Sequence, residues 1–71
     1  MNIADKIRIL MVLRGIRTAA ELARRLKCTP QNLHIKMKRG SFSEKDMRNI
    51  ANILNCTLSI DFTLNDTGEK I

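Results

Sequence analysis

Two short helices joined by a very short connection are the feature that most limits what this chain can fold into. Thr18 opens the first helix with the pattern Thr-Ala-Ala-Glu, a capping box in which hydroxyl and carboxylate each bind a free backbone amide. Thr29 and Pro30 open the second helix as a cap followed by a first-turn proline. Only Lys27 and Cys28 link the two helices, so the helices must cross steeply and the second must project outward.

Similar signals predict one helix before this pair and another after it. Asn2 can cap the first helix, and Gly15 supplies a left-handed residue past its end. Ser43 opens the last helix, and Asn55 suits the position after its end. The pattern predicts a mainly α fold of four main helices. Apolar residues at helical spacing mark the faces expected to be buried: Ile3, Ile7, Leu10, Met11, Leu22, Ala23, Leu26, Leu33, Met37, Met47, Ile50, Ala51 and Leu54.

After the last helix the apolar residues change to alternate spacing, which predicts one C-terminal β-strand over 57–64. The chain thus divides into a helical domain, residues 1–56, and a C-terminal segment, residues 57–71. Apart from a short return at 69–71, nothing else in the chain resembles a strand that could pair with it. We therefore expect a homodimer in which this strand pairs antiparallel with its copy. The apolar face of the strand would form the dimer interface through Leu58, Ile60, Phe62 and Leu64.

The distribution of charge points to a polyanionic partner. The 71 residues carry a formal net charge of +6, and residues 1–48 hold twelve Lys and Arg against four Asp and Glu. Such a basic segment is expected of a surface that meets phosphates, although a merely soluble cationic domain would show the same excess. A domain this small has a net stability of roughly 5 kcal/mol or less, so support from a partner chain is expected.

Residues 18–33, followed by Lys38-Arg39-Gly40, resemble the Xre/Cro family of lambda-repressor-like helix-turn-helix regulators. The stretch 31–47 looks like a compact subgroup of small regulators from Gram-positive bacteria and their mobile elements. The resemblance covers residues 2 to about 64. It implies sequence-specific binding to double-stranded DNA, most simply as a transcriptional repressor, and it also points to a dimer formed through the C-terminal strand.

The chain departs from the family pattern in two places. Lys27 stands where many members have glycine, and Lys36 occupies a position that is usually apolar. The predicted buried pair is therefore Leu33 and Met37, spaced by four residues rather than three. Because a shift of one residue rotates the outward face of a helix by about 100°, the contacts are best chosen from the geometry of this sequence.

The face opposite Leu33 and Met37 carries the residues expected to contact bases. Gln31 can form two hydrogen bonds with adenine, and Ile35 can contact a thymine methyl group. His34 is equally explained as a solvated histidine, and Ile35 as a lone exposed apolar residue. The predicted base contacts are Gln31, Asn32, His34 and Ile35.

Polar and basic residues at the helix ends, and in the loop after the second helix of the pair, suit phosphates, which bind free amide groups and cations. For any single lysine or arginine, a solvated surface position is the alternative. The predicted phosphate contacts are Arg17, Thr18, Thr29, Lys36, Lys38, Arg39, Ser41, Ser43 and Lys45.

The sequence argues against several other classes of protein. It contains one histidine and no combination of nucleophile, base and acid, so we expect no enzyme and no cofactor. Cys28 and Cys56 fit neither a zinc site nor a disulfide framework. We expect Cys28 to be buried, with redox sensing as the alternative. No signal peptide or membrane-spanning run is present, which predicts a cytoplasmic protein. An antitoxin-like subunit that binds a partner toxin, or a non-specific nucleic-acid binder, remains an alternative function.

Overall fold

Each helix begins at the polar residue that the sequence marks as its cap. A computed structural model describes residues 1–71, with helices α1 (Ile3–Leu13), α2 (Ala19–Leu26), α3 (Pro30–Arg39) and α4 (Glu44–Ile53). The side-chain oxygens of the four caps accept the backbone N–H three residues later, at 2.9, 3.1, 3.2 and 3.0 Å for Asn2, Thr18, Thr29 and Ser43. The predicted mainly α fold of four helices is confirmed.

Each helix is followed, within two residues of its end, by a residue with a left-handed backbone. These residues are Gly15, Lys27, Gly40 and Asn55. In every case the next residue donates its N–H to a carbonyl five positions earlier, as Ile16 does to Met11 at 2.9 Å and Cys28 to Ala23 at 3.0 Å. This bonding satisfies helix carbonyls that would otherwise lack a partner. Lysine is the unusual member of the set, because its Cβ is strained in this conformation.

Replacing Lys27 by glycine should therefore stabilise the domain by up to about 1 kcal/mol, since glycine adopts a left-handed backbone without strain. Lys27 has φ 58° and ψ 39°. Gly40→Ala is the matched control, because Gly40 has φ 65° and a Cβ there would meet no atom within 4 Å. Alanine would therefore add backbone strain but no steric clash, so Gly40→Ala should be less stable than the wild type. Urea denaturation measures both, and a lower midpoint for Lys27→Gly would contradict the argument.

All four helices contribute to one small core. Leu22, Leu33 and Leu54 are its largest fully buried side chains, one each from α2, α3 and the end of α4. Helix α2 packs against both α3 and α4, which holds α3 at the edge of the domain. None of the helices is long and apolar enough to cross a membrane. The core cluster consists of Ile7, Met11, Ile16, Leu22, Ala23, Leu33, Ile50 and Leu54.

Arg14 connects the end of α1 to the end of α4, a contact that no local sequence pattern predicts. Its Nε donates to the carbonyl of Leu54 at 2.7 Å, and its Nη2 donates to the carbonyl of Asn55 at 3.0 Å. A guanidinium at this position satisfies helix carbonyls and interacts favourably with the negative end of the α4 dipole.

The C-terminal segment does not form the predicted strand over 57–64 within the single chain. Phe62 and Ile71 exchange backbone hydrogen bonds of 3.3 and 2.7 Å, the N–H of Leu64 reaches the carbonyl of Glu69 at 2.8 Å, and Thr63 forms an isolated antiparallel bridge with Lys70. The short return at 69–71 thus pairs only with 62–64, because three residues are too few to pair with all of 57–64. Residues 57–61 have no paired strand beside them.

Candidate nucleic-acid interface

Helices α2 and α3 form a helix-turn-helix in which residues 27–29 are the turn. The turn is tight because the left-handed Lys27 reverses the chain, and Thr29, two residues later, already caps α3. Leu22 and Ala23 of α2 are completely buried, and Leu33 of α3 is 2% exposed. Only one side of α3 is therefore held against the domain, and its other side faces outward.

The outward side of α3 carries the four residues predicted to contact bases. Gln31, Asn32, His34 and Ile35 are all exposed. Pro30, Gln31, His34 and Ile35 line a shallow open cleft along the helix. The opposite side behaves as the four-residue spacing predicts, since Leu33 is buried and Met37 packs against the core. The amide of Gln31 makes no hydrogen bond within the chain and is free to bind a base edge.

Four of the predicted phosphate-binding residues are cations that no carboxylate neutralises. Arg17, Lys38, Arg39 and Lys45 are exposed, and none of them belongs to the four ion pairs of the chain. Arg17 precedes α2, Lys38 and Arg39 end α3, and Lys45 lies in the first turn of α4. Positive charge is therefore available at both ends of the helix-turn-helix and beyond it. Ser41 is also exposed, in the loop between α3 and α4.

The capping hydroxyl groups can serve DNA as well as the helices. The oxygens of Thr18, Thr29 and Ser43 accept backbone N–H groups, which leaves each hydroxyl proton able to donate to a phosphate oxygen. The capping box predicted at Thr18 is only half formed. The carboxylate of Glu21 pairs with Arg25 at 3.2 Å instead of returning to the amide of the cap, because an i, i+4 arginine lies within its reach.

Lys36 is directed toward the protein rather than away from it. Its Nζ lies 2.9 Å from Oδ1 of Asp46 on α4, and the other carboxylate oxygen of Asp46 accepts the N–H of Ser43 at 3.1 Å. The hydrogen bond from Lys36, followed by that from the Ser43 backbone, lowers the pKa of Asp46 below its ordinary value. The carboxylate thus stays charged at neutral pH, and the ion pair is lost only in acid.

Cys28 is exposed, so the prediction that it is buried was wrong. Its backbone N–H closes the turn by bonding to Ala23 at 3.0 Å, and its side chain lies at the rim of a small cavity rather than in the core. A sequence pattern shows that a turn is tight but not which way its side chains point. No group of three His, Cys, Asp or Glu side chains is arranged to hold a metal ion.

Comparison with known proteins agrees with this geometry. Residues 6–59 match the family model of the Cro/C1-type HTH DNA-binding domain, a match that includes all four helices apart from the first turn of α1. No curated protein matches the chain, and no solved structure matches it.

Proposed function

The chain belongs to the family of Cro/C1-type helix-turn-helix DNA-binding domains, and from this premise we propose that it is a repressor of transcription that binds DNA as a homodimer. The observation that carries the proposal is the exposed outward face of α3, in a helix-turn-helix that has unpaired cations at both of its ends. Repression requires only that a bound protein occupy a promoter, which a domain of this size can do. We place the protein in the cytoplasm, with the DNA that it binds.

In this proposal α3 enters the major groove and its outward face contacts the bases. Gln31 lies in the first turn, and its amide can pair with both N6 and N7 of adenine. Asn32 carries the same amide group but lies further from the centre of the outward face. His34 can donate a hydrogen bond, and Ile35, which is 46% exposed, can pack against a thymine methyl group. These assignments are supported by the exposure of all four side chains, while Leu33 on the same helix is buried.

The DNA backbone is held by the groups around this face. The hydroxyl donors are Thr18, Thr29, Ser41 and Ser43, and the cations are Arg17, Lys38, Arg39 and Lys45. Lys36 is excluded from this set, since its ammonium is already paired with Asp46. These contacts fix the position of α3 in the groove without reading the sequence of the DNA.

The C-terminal segment, residues 57–71, is proposed to form the dimer while residues 1–56 bind DNA. Ile60, Phe62 and Leu64 remain 47%, 74% and 41% exposed in the single chain, and Leu58 is half-buried. Residues 57–61 also have no paired strand beside them. Pairing with the same segment of a second copy would satisfy the backbone, and the apolar face of the paired strands could then pack against the exposed Ile9, Val12 and Leu13 of α1.

Binding to DNA should weaken steeply as salt increases. The four unpaired cations proposed to bind phosphate in each subunit give eight per dimer, so log K against log [salt] should fall with a slope of about −7, within a range of about −5 to −9. The experiment selects bound duplexes from a random pool and then titrates the selected duplex with salt. A selected consensus supports sequence-specific binding. A slope shallower than about −2, or no enrichment over random duplexes, would contradict the proposal.

An antitoxin-like subunit is the alternative function, and one observation favours it. Val12 and Leu13 on α1 are 79% and 70% exposed, which leaves an apolar patch that a partner protein could cover. A stoichiometric toxin that co-purifies with the chain and blocks this patch would support the alternative. A homodimer that binds a selected duplex without any further protein supports the repressor.

A further inference from the structure

The ion pair between Lys36 and Asp46 differs from the other ion pairs of the chain because it joins two helices. The other three join residues three or four apart on one helix. The Lys36–Asp46 pair is also short, at 2.9 Å, and the Asp46 side chain is only 26% exposed. Asp46 additionally completes the capping box of α4 through Ser43. The pair therefore attaches α3 to the first turn of α4.

The stem of Lys36 lies between the interior and the proposed DNA-binding face. On the inner side, Lys36 and Asp46 line a cavity of about 70 Å³ together with apolar side chains that include Leu33 and Phe42. On the outer side, Lys36 lines a shallow cleft with Ile35 and Arg39. The ammonium group could reach either side by rotation of its four-carbon stem. In the structure it is bonded on the side of Asp46.

We propose that Lys36 and Asp46 are positioning residues for DNA recognition: their ion pair fixes α3 against α4 and keeps the ammonium of Lys36 away from the phosphates. This inference rests on the proposed binding of DNA through α3. A phosphate that captured Lys36 would leave the carboxylate of Asp46 without its cation and close to the DNA, where like charges repel. The pair is therefore retained in the complex.

Asp46→Asn tests the proposal by removing the anionic partner of the ion pair. The asparagine oxygen can still accept the N–H of Ser43, so the cap is kept, while the charge that holds Lys36 is removed. The released ammonium should add one phosphate contact per subunit on a duplex of random sequence. The salt slope should then steepen by about 0.9 per subunit, or about 1.8 for the dimer, which is about a 12-fold greater loss of affinity for a fourfold rise in salt. Preference for the selected duplex over the random one should fall, because α3 is held less firmly.

Glu44→Gln is the matched control. Glu44 lies in the same first turn of α4, and its removal changes the net charge by the same amount, but its partner is Arg48 on the same helix at 3.4 Å. We expect no change in the slope beyond error. If Glu44→Gln steepens the slope as much as Asp46→Asn does, the effect is one of net charge and the proposal is overturned.

Lys36→Met removes the cationic partner of the ion pair, because methionine fills the same space without a charge. The salt slope should stay that of the wild type, while preference for the selected duplex should fall as it does in Asp46→Asn. A slope shallower by about 0.9 per subunit would show that Lys36 binds phosphate and would overturn the proposal. In the double variant Lys36→Met/Asp46→Asn, the steepening seen with Asp46→Asn alone should disappear.

Two measurements keep these outcomes separate from the failure of the proposed function. Lys36→Arg preserves a cation that can bind Asp46 and should behave as the wild type, which shows that the charge pair rather than the residue itself is required. Wild-type protein that binds neither duplex would refute the DNA-binding function. Wild-type protein that binds both, with equal salt slopes for wild type and Asp46→Asn, would refute only the positioning role.

Discussion

Replacing Ile60 by aspartate is expected to convert the homodimer into monomers. In the proposed dimer Ile60 is covered by the partner subunit, and loss of such a buried side chain costs about 2–5 kcal/mol. The new carboxylate would add the cost of burying a charge without a partner. Sedimentation at a series of concentrations measures the change. Binding to a palindromic site should weaken too, because each subunit would bind its half-site independently.

Ser59→Asp is the matched control for this variant. It introduces the same charge one residue away, on the opposite face of an extended segment, and should leave the dimer intact. Ile60 is 47% exposed in the single chain, so its replacement should cost the monomer less stability than it costs the dimer. Wild-type protein that sediments as a monomer at high concentration would contradict the dimer. Equal dissociation of both variants would show that the alternating face is not the interface.

The helix boundaries could be predicted from the sequence because they depend on local contacts. Asn2 and Ser43 bind amides only three residues away, and Gly15 and Asn55 take their left-handed backbone within a single turn. The spacing of Leu33 and Met37 likewise determined which side of α3 faces outward. In each case one residue and its close neighbours decide the structure, so a single sequence contains enough information.

Contacts between distant parts of the chain could not be predicted in the same way. The bonds from Arg14 to the end of α4 join residues about forty positions apart, and nothing local marks either partner. Lys36 was expected to bind phosphate because a lysine on an exposed helix end suggests solvent, yet Asp46 lies within reach once α3 and α4 are packed. The salt slope of the Lys36→Met variant measures whether Lys36 contacts phosphate.

The structure of the C-terminal segment could be predicted from the sequence only in part. Alternation of apolar residues over 57–64 predicts which side chains share a face of an extended chain, but it does not identify the strand that pairs with it. Within one chain only 62–64 find a partner, at 69–71. Whether the remainder becomes a strand depends on a second molecule, which a single chain does not contain.

Replacing Gln31 by alanine is expected to weaken binding to the selected duplex while leaving affinity for random DNA nearly unchanged. Its side chain is exposed in the first turn of α3 and makes no hydrogen bond within the chain, so alanine should not disturb the fold. Loss of a two-bond contact with adenine costs about 1–3 kcal/mol, or about 5- to 150-fold in affinity for the selected duplex. Affinity for a random duplex, which depends on phosphate contacts, should stay the same.

Arg39→Ala separates this base contact from a backbone contact on the same helix. Arg39 is exposed at the far end of α3 and belongs to no ion pair, so its loss should weaken binding to both duplexes by a similar factor and make the salt slope shallower by about 0.9 per subunit. Gln31→Ala should leave the slope as it is. Equal losses on both duplexes for Gln31→Ala would show that another side of α3 contacts the bases. Gln31→Ala and Arg39→Ala, eight residues apart on one helix, would then behave alike, and the assignment of the bases to Gln31, Asn32, His34 and Ile35 would have to be abandoned.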